Sequence, residues 1–203
     1  MGTRERRERQ KENLRQEIFD AASDLFSKEG YQNVSMRKIA DKIEYSPATI
    51  YLYFKGKDDL LHQICEDTFA HLGNHLGVIE KKYGKNFDGL RRGFRAYIEF
   101  GLKHPKQYEL TFMTPLDKYL DPETYTFEGS MGQKAYGYLQ NQVTACMENG
   151  EIRKGDVEET AQAIWAGIHG VTSLLIAQYH FPFVSQNRLI DKTIELLLDG
   201  LKT

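Results

Sequence analysis

The chain has 203 residues, enough for one large domain or two small ones. Its content of 40% hydrophobic and 28% charged residues is typical of a soluble globular protein. No apolar run reaches the roughly 20 residues that span a bilayer, and the charged N-terminus lacks the apolar core of a signal peptide. The formal net charge is −2, but residues 1–57 carry 12 Lys and Arg against 9 Asp and Glu, whereas residues 58–203 carry 15 against 20. A basic first part is the asymmetry expected if only that part meets a polyanion.

Residues 3–16 are highly charged and contain no repeated apolar position before Leu14. One interpretation is a solvated helical extension held by charge pairs four residues apart. The other is a basic arm that lies along phosphates or reaches the minor groove. The arm would use Arg4, Arg6, Arg7 and Arg9, and the interspersed Glu5, Glu8 and Glu12 weaken that interpretation.

The first core helix is predicted by an apolar stripe that ends at Gly30, a residue type common just after a helix. The stripe consists of Leu14, Ile18, Ala21, Ala22, Leu25 and Phe26. A second, short helix is predicted by the spacing of Met36, Ile39, Ala40 and Ile43, with Ser35 as its N-cap.

A turn at residues 44–46 then leads to a third helix, which Ser46 caps and Pro47 begins. Ile50 and Phe54 share the inward face of this helix, which leaves the small and hydroxyl-bearing side chains outside. The outward residues are Ala48, Thr49, Tyr51 and Tyr53. A short capped helix of this kind can enter a DNA major groove with its N-terminus first.

Residues 18–61 resemble the TetR family of bacterial transcription regulators. The resemblance lies in Phe26-Ser27-Lys28-Glu29-Gly30-Tyr31, Ser35-Met36-Arg37-Lys38-Ile39-Ala40, Ser46-Pro47-Ala48-Thr49-Ile50-Tyr51 and Tyr53-Phe54-Lys55-Gly56-Lys57-Asp58-Asp59-Leu60-Leu61. It implies a three-helix DNA-binding head, with DNA contacts from Ser35, Arg37, Lys38, Ser46, Ala48, Thr49, Tyr51, Tyr53 and Lys57. Arginine can bond guanine through two hydrogen bonds, tyrosine hydroxyls can contact phosphate, and a lysine that opens a helix can hold phosphate with the helix N–H groups. At Leu52 many relatives carry a polar or basic residue, so this leucine either touches a thymine methyl group or packs elsewhere.

Further helices are predicted over residues 58–76, 87–102, 132–149, 157–179 and 186–201, with a short helix from Pro105 and a long loop over residues 114–129. Residues 163–176 are apolar nearly all round, so we expect burial on several faces, including against a second subunit. In that segment Trp165, His169 and Gly170 resemble the Trp-His-Gly signature of one TetR subgroup. The family resemblance implies that the last two helices form half of a four-helix dimer interface, for which we expect Leu174, Leu189, Ile194, Leu197 and Leu198.

Aromatic residues of the second part are the candidates for an effector site: Phe94, Tyr97, Phe100, Tyr108, Phe112, Tyr136, Trp165 and His169. Aromatic residues at helical spacing more often form core, and His169 is equally compatible with a packing role. Residues 161–176 contain no Lys or Arg, so an uncharged or weakly anionic, mostly apolar effector is expected rather than a sugar phosphate or a metal.

The sequence therefore predicts an all-α protein with a helix-turn-helix head over residues 1–57 and a ligand-binding and dimerisation body over residues 58–203. We expect a cytoplasmic, homodimeric transcriptional repressor without cofactor or metal, bound to a near-palindromic double-stranded operator and released by the effector. Cys65 and Cys146 have no closely spaced partner, which fits reduced thiols in the cytoplasm. The alternatives are a constitutive DNA-binding dimer and a helical enzyme. No nucleophile and base pattern, metal cluster or phosphate loop favours the enzyme.

Overall fold

The computed structural model describes residues 3–121, 125–178 and 180–202, and every regular element in those residues is helical. The helices are α1 (Thr3–Glu29), α2 (Met36–Lys42), α3 (Pro47–Tyr51), α4 (Lys57–Tyr83), α5 (Phe87–Lys103), α6 (Pro105–Tyr108), α7 (Met131–Glu148), α8 (Val157–Ala177) and α9 (Gln186–Leu201). Short helical turns cover Tyr31–Asn33, Glu109–Met113 and Leu116–Lys118. This architecture confirms the predicted all-α class.

Two compact units share these helices. The head unit comprises Met1–Cys65 and Lys106–Tyr125, and the body unit comprises Glu66–Pro105 and Thr126–Thr203. This division differs from the boundary at residue 57 that the sequence suggested. Of the predicted loop, residues 122–124 lie outside the described residues, as does Tyr179 at the predicted end of α8.

The head unit is built around the predicted apolar stripes. Ile18, Ile39 and Ile50 are fully buried, and Phe54 is almost so, which confirms the inward faces of the first three helices. The segment after α6 joins the same core, because Leu110 is buried in it and the Tyr119 ring lies 4.5 Å from the Tyr31 ring. Periodicity alone could not show this association, which is a long-range contact.

Helix α1 begins at Thr3, which agrees with the helical extension that was one of the two interpretations of residues 3–16. Helix α4 is longer than predicted, because it continues to Tyr83 rather than ending near residue 76. Glycine has a low helix propensity and therefore suggests a helix end, but Gly77 is an interior residue of α4. A methyl group at Gly77 would lie 2.8 Å from the hydroxyl of Tyr138, so a close side chain explains this glycine.

The body unit packs α5, α7, α8 and α9 against one another. Helix α8 buries one face, formed by Ala161, Ile164, Ile168, Val171 and Thr172, and leaves Ala163, Ala166, Leu174 and Ala177 exposed. Within the part of the chain described, α8 is the single helix long and apolar enough to cross a membrane, a test that core helices of soluble proteins also pass.

Candidate functional site

The two serines proposed for DNA contact both cap helices. Ser35 Oγ accepts a hydrogen bond from the Lys38 N–H at 3.2 Å, and Ser46 Oγ accepts one from the Thr49 N–H at 3.2 Å. Between the helices Glu44 has a φ of 59°, a left-handed conformation that makes the turn tight. The caps and the turn therefore hold α2 and α3 as a helix-turn-helix unit.

Helix α3 presents an uncovered face. Ala48 is exposed, and Tyr51 and Leu52 are 54% and 81% exposed. Thr49 is half-buried, and its hydroxyl lies 2.9 Å from that of Ser46. The exposure of Leu52 excludes the packing role left open by the sequence and leaves the contact with a thymine methyl group as its candidate role.

The candidate cations of the head differ in availability. Arg37 keeps 83% of its side chain exposed, and its guanidinium Nε lies 4.0 Å from a carboxylate oxygen of Asp41. The Lys38 ammonium is paired with Glu29. Both groups remain near the surface, where ion pairs are weak and can be exchanged for phosphate.

The Lys57 side chain is half-buried and its ammonium bonds within the head, so its contact with phosphate stays a prediction. The ammonium donates to the carbonyl oxygens of Tyr31 and Val34 at 2.9 and 3.0 Å, and it lies 4.2 Å from the centre of the Tyr31 ring. These contacts occupy most of its donor capacity, because an ammonium has three N–H groups. Lys57 thus fixes the segment that leads into α2.

Asp24 is a buried carboxylate that the sequence analysis did not single out. It accepts hydrogen bonds from Lys106 and from Lys42, the latter at 2.6 Å, and it lies 3.1 Å from the Lys28 ammonium. Hydrogen bonds from Lys106, Lys42 and Lys28 hold the pKa of Asp24 well below its usual range. The carboxylate therefore ties α1 to α2 and to the start of α6.

Four of the proposed effector residues come together in the body unit. The Trp165 indole N–H donates to the Tyr97 hydroxyl at 3.0 Å, and the Trp165 ring centre lies 6.3 Å from Tyr136 and 6.0 Å from His169. Burial lowers the pKa of His169, which favours its neutral form. Burial, together with a hydrogen bond to Glu158, raises the pKa of Tyr136 to about 12.

The other proposed effector residues lie elsewhere. Phe94 is buried in the body unit, and Phe100 is paired with His104, with ring centres 5.0 Å apart. Tyr108 and Phe112 belong to the head unit, where their rings lie 4.7 Å apart. The structure thus groups Tyr97 of α5 with Tyr136 of α7 and with Trp165 and His169 of α8, rather than all eight residues.

The residues proposed for the dimer interface differ in their exposure. Leu174 is 49% exposed, whereas Leu189 and Leu197 are half-buried. Ile194 and Leu198 are buried within the single chain, so their assignment to the dimer interface is wrong. Leu196, which the sequence analysis missed, is 61% exposed. It lies seven residues after Leu189, which places both leucines on the same face of α9.

Both parts of the sequence match models of known protein families. Residues 18–64 match the model described as bacterial regulatory proteins, tetR family. Residues 90–201, more than half of the chain, match the model described as tetracyclin repressor-like, C-terminal domain. The chain belongs to the TetR family.

Relatives of this TetR-family chain agree with that assignment. An uncharacterized HTH-type transcriptional regulator of Haemophilus influenzae is 32% identical over 108 residues, which are 49% of this chain and 56% of that protein. The chain spans about half the length of the curated relatives it matches. These relatives are named as transcriptional regulators, not enzymes. The resemblance of Trp165, His169 and Gly170 to one subgroup stays a prediction.

Solved structures show the TetR fold over nearly the whole chain. A regulatory protein of the tetR family from Rhodococcus RHA1 has a TM-score of 0.78 at 19% identity, with 93% of this chain and 96% of that chain covered. The regulator FadR from Bacillus subtilis, solved in complex with stearoyl-CoA, has a TM-score of 0.74 at 21% identity, with 92% and 98% covered.

Proposed function

We propose that this TetR-family chain is a cytoplasmic transcriptional repressor that binds a near-palindromic DNA operator as a homodimer and leaves it when a small, mostly apolar effector binds. The observation that carries the proposal is the exposed face of α3 on a capped helix-turn-helix unit. Its backbone is held by Ser46 and its inward face by Ile50 and Phe54. Such a helix presents side chains to base edges without unfolding any part of the head.

The individual DNA contacts follow from exposure and chemistry. Ala48, Thr49, Tyr51 and Leu52 are placed to meet base edges and backbone, and Arg37 is placed for guanine or phosphate. Lys38 and the half-buried Tyr53 lie at the edge of this surface, and the caps Ser35 and Ser46 act by positioning their helices. Lys57 is left out of this set because its ammonium serves the head itself.

The dimer is proposed from the uncovered apolar face of α8. Most residues of the apolar stretch 163–177 are exposed or half-buried in the single chain. Small residues at positions 163, 166 and 170, followed by Leu174 and Ala177, allow a second helix to approach closely. Two heads held in this way would meet successive major grooves about 34 Å apart, which is why a near-palindromic operator is expected.

The effector site is proposed at Tyr97, Tyr136, Trp165 and His169. This cluster offers aromatic surface and a few polar groups, the make-up of a site for a mostly apolar ligand. The stearoyl-CoA bound by the Bacillus subtilis FadR makes a lipid-like molecule a natural first candidate. The effector must bind one of two conformations more tightly than the other, because a ligand with equal affinity for both does not shift the equilibrium between them.

DNA binding is tested with a duplex that the unmodified protein enriches from a randomised library. Thr49→Ala with Tyr51→Ala should weaken binding at least tenfold, and Arg37→Ala should cost about 1–3 kcal/mol if Arg37 reads a base. Phe127→Ala, which removes a 60% exposed aromatic residue of the body unit, is the control and should bind normally. A Thr49/Tyr51 variant that is folded by circular dichroism and binds with full affinity would refute the assignment.

Effector response is tested by thermal shift and DNA release over apolar, cationic and phosphorylated compounds. We expect apolar or lipid-like compounds to stabilise the protein, release the duplex and change Trp165 fluorescence. Release by highly charged compounds alone would contradict the proposed chemistry. If no compound releases the duplex, the constitutive DNA-binding dimer becomes the better explanation.

A further inference from the structure

The first turns of α1 carry their charges in separate stripes, although acidic and basic residues alternate along the sequence. Arg4, Arg7, Lys11 and Arg15 are spaced by three and four residues and therefore share one helix face. Glu5, Glu8 and Glu12 form a neighbouring stripe, while Arg6 and Arg9 lie on the far side. Residues 4–13 are exposed throughout, so burial of apolar side chains does not account for this extension.

The basic stripe begins beside the DNA-reading helix. The Arg15 guanidinium lies 4.3 Å from the centre of the Phe19 ring and donates to Gln63 at 3.3 Å. The Lys11 ammonium lies 6.0 Å from the centre of the Tyr53 ring, two residues after the end of α3. With a rise of about 1.5 Å per residue, Arg7 lies about 6 Å and Arg4 about 10 Å further along α1.

The cations in this stripe are among the few in the head that are available. Lys57 binds backbone carbonyls, Lys38 pairs with Glu29, and Lys28 and Lys42 pair with Asp24. Among the described residues, Arg7 and Lys11 have no carboxylate partner. Arg4 pairs with Glu8 at 3.1 Å, but both side chains are well exposed, and such pairs contribute little.

We propose that Arg7 and Lys11, with Arg4 beyond them, bind backbone phosphates of duplex DNA that flank the site read by α3. This inference rests on the proposed function. The minor groove is about 6 Å wide and a helix with its side chains is about 10–12 Å across, so a helical extension fits the phosphate backbone and not the groove. Phosphates neutralised by Arg7 and Lys11 release counterions, which makes the contact strongly salt-dependent.

The experiment compares two duplexes over a salt series. One is the shortest library-selected duplex that the unmodified protein binds tightly, and the other extends it by about five base pairs, roughly 17 Å, at each end. Arg7→Ala with Lys11→Ala is compared with Arg6→Ala with Arg9→Ala, which removes the same charge from the far side of the same turns. Circular dichroism and thermal unfolding should be the same for both variants.

On the extended duplex, the Arg7/Lys11 variant should lose about two units of salt slope per bound head and at least roughly tenfold in affinity at 0.1 M salt. On the short duplex its slope should match that of the unmodified protein. An unchanged slope on the extended duplex, or an equal loss in the Arg6/Arg9 variant, would overturn the inference while leaving the proposed function standing. If the unmodified protein enriches no duplex, the proposed function fails, and this inference with it.

Discussion

At the scale of single residues, the head uses charge mainly to hold itself together. Lys57 satisfies two backbone carbonyls ahead of α2, and Asp24 gathers lysines from three parts of the head unit. Both residues look like surface charges in the sequence, because all of their partners except Lys28 lie 18 to 82 residues away. A charged residue next to a DNA-reading helix is therefore not automatically a DNA contact.

Lys57→Met should lower the free energy of unfolding by about 1–3 kcal/mol, because it removes charge-assisted hydrogen bonds to the Tyr31 and Val34 carbonyls while keeping an apolar stem. Urea unfolding measures this loss. Lys55→Met, at an exposed neighbouring position, is the control and should change stability by less than about 0.5 kcal/mol. A Lys57 variant with normal stability and a reduced DNA salt slope would show that the ammonium meets phosphate after all.

Asp24→Asn should destabilise the head, since three lysines lose the carboxylate that they share. The folded-state pKa of Asp24 lies below the usual 3.8, so the ionised carboxylate contributes its stability at every pH above that value. The contribution is lost only as the pH falls below 3.8 toward the folded pKa. The difference in urea midpoint between variant and unmodified protein should therefore be equal at pH 7 and pH 4.5. A difference that vanishes by pH 5 would contradict this assignment.

At the scale of helices, the sequence predicted the apolar faces and caps of α2 and α3 and the extents of α7–α9 well, because those features depend on residues a few positions apart. The apolar spacing around Ile39 and the caps Ser35 and Ser46 are local signals of this kind. The sequence left the start of α1 open between a helical extension and a basic arm, because no apolar residue marks it. The place of residues 106–125 in the head unit was missed because it depends on distant partners such as Asp24 and Tyr31.

Helix α4 contains an interior glycine, Gly77, whose role can be tested by substitution. Gly77→Ala should destabilise the protein despite the better helix propensity of alanine, because the new methyl group would lie 2.8 Å from the Tyr138 hydroxyl. In a Tyr138→Phe background the nearest atom is the ring carbon Cζ at 3.3 Å, so the same change should destabilise the protein less. Thermal unfolding of the unmodified protein, the two single variants and the double variant completes a double-mutant cycle. Equal effects of Gly77→Ala in both backgrounds would rule out the hydroxyl as the cause.

At the scale of the whole molecule, the single chain leaves apolar surface on its last two helices uncovered. The exposed face of α8 includes Ala166 and Leu174, and α9 adds Leu196. Gly167 on α8 accommodates Leu197 of α9, whose nearest side-chain atom would lie 2.7 Å from an added methyl group. The two helices therefore pack closely within one chain while their outer faces remain available to a second copy.

Leu174→Glu with Leu196→Glu should convert the proposed dimer into a folded monomer, because two charges per subunit would be buried without partners at the interface. Sedimentation at micromolar concentration measures the mass, and circular dichroism confirms the helices. The monomer should also bind the selected palindromic duplex at least tenfold more weakly, since its heads no longer bind as a linked pair.

Leu198→Glu is the matched comparison. It places the same charge at a fully buried position and should cost stability rather than assembly alone. Unmodified protein that sediments as a monomer, or a Leu174/Leu196 variant that remains a dimer, would place the interface elsewhere.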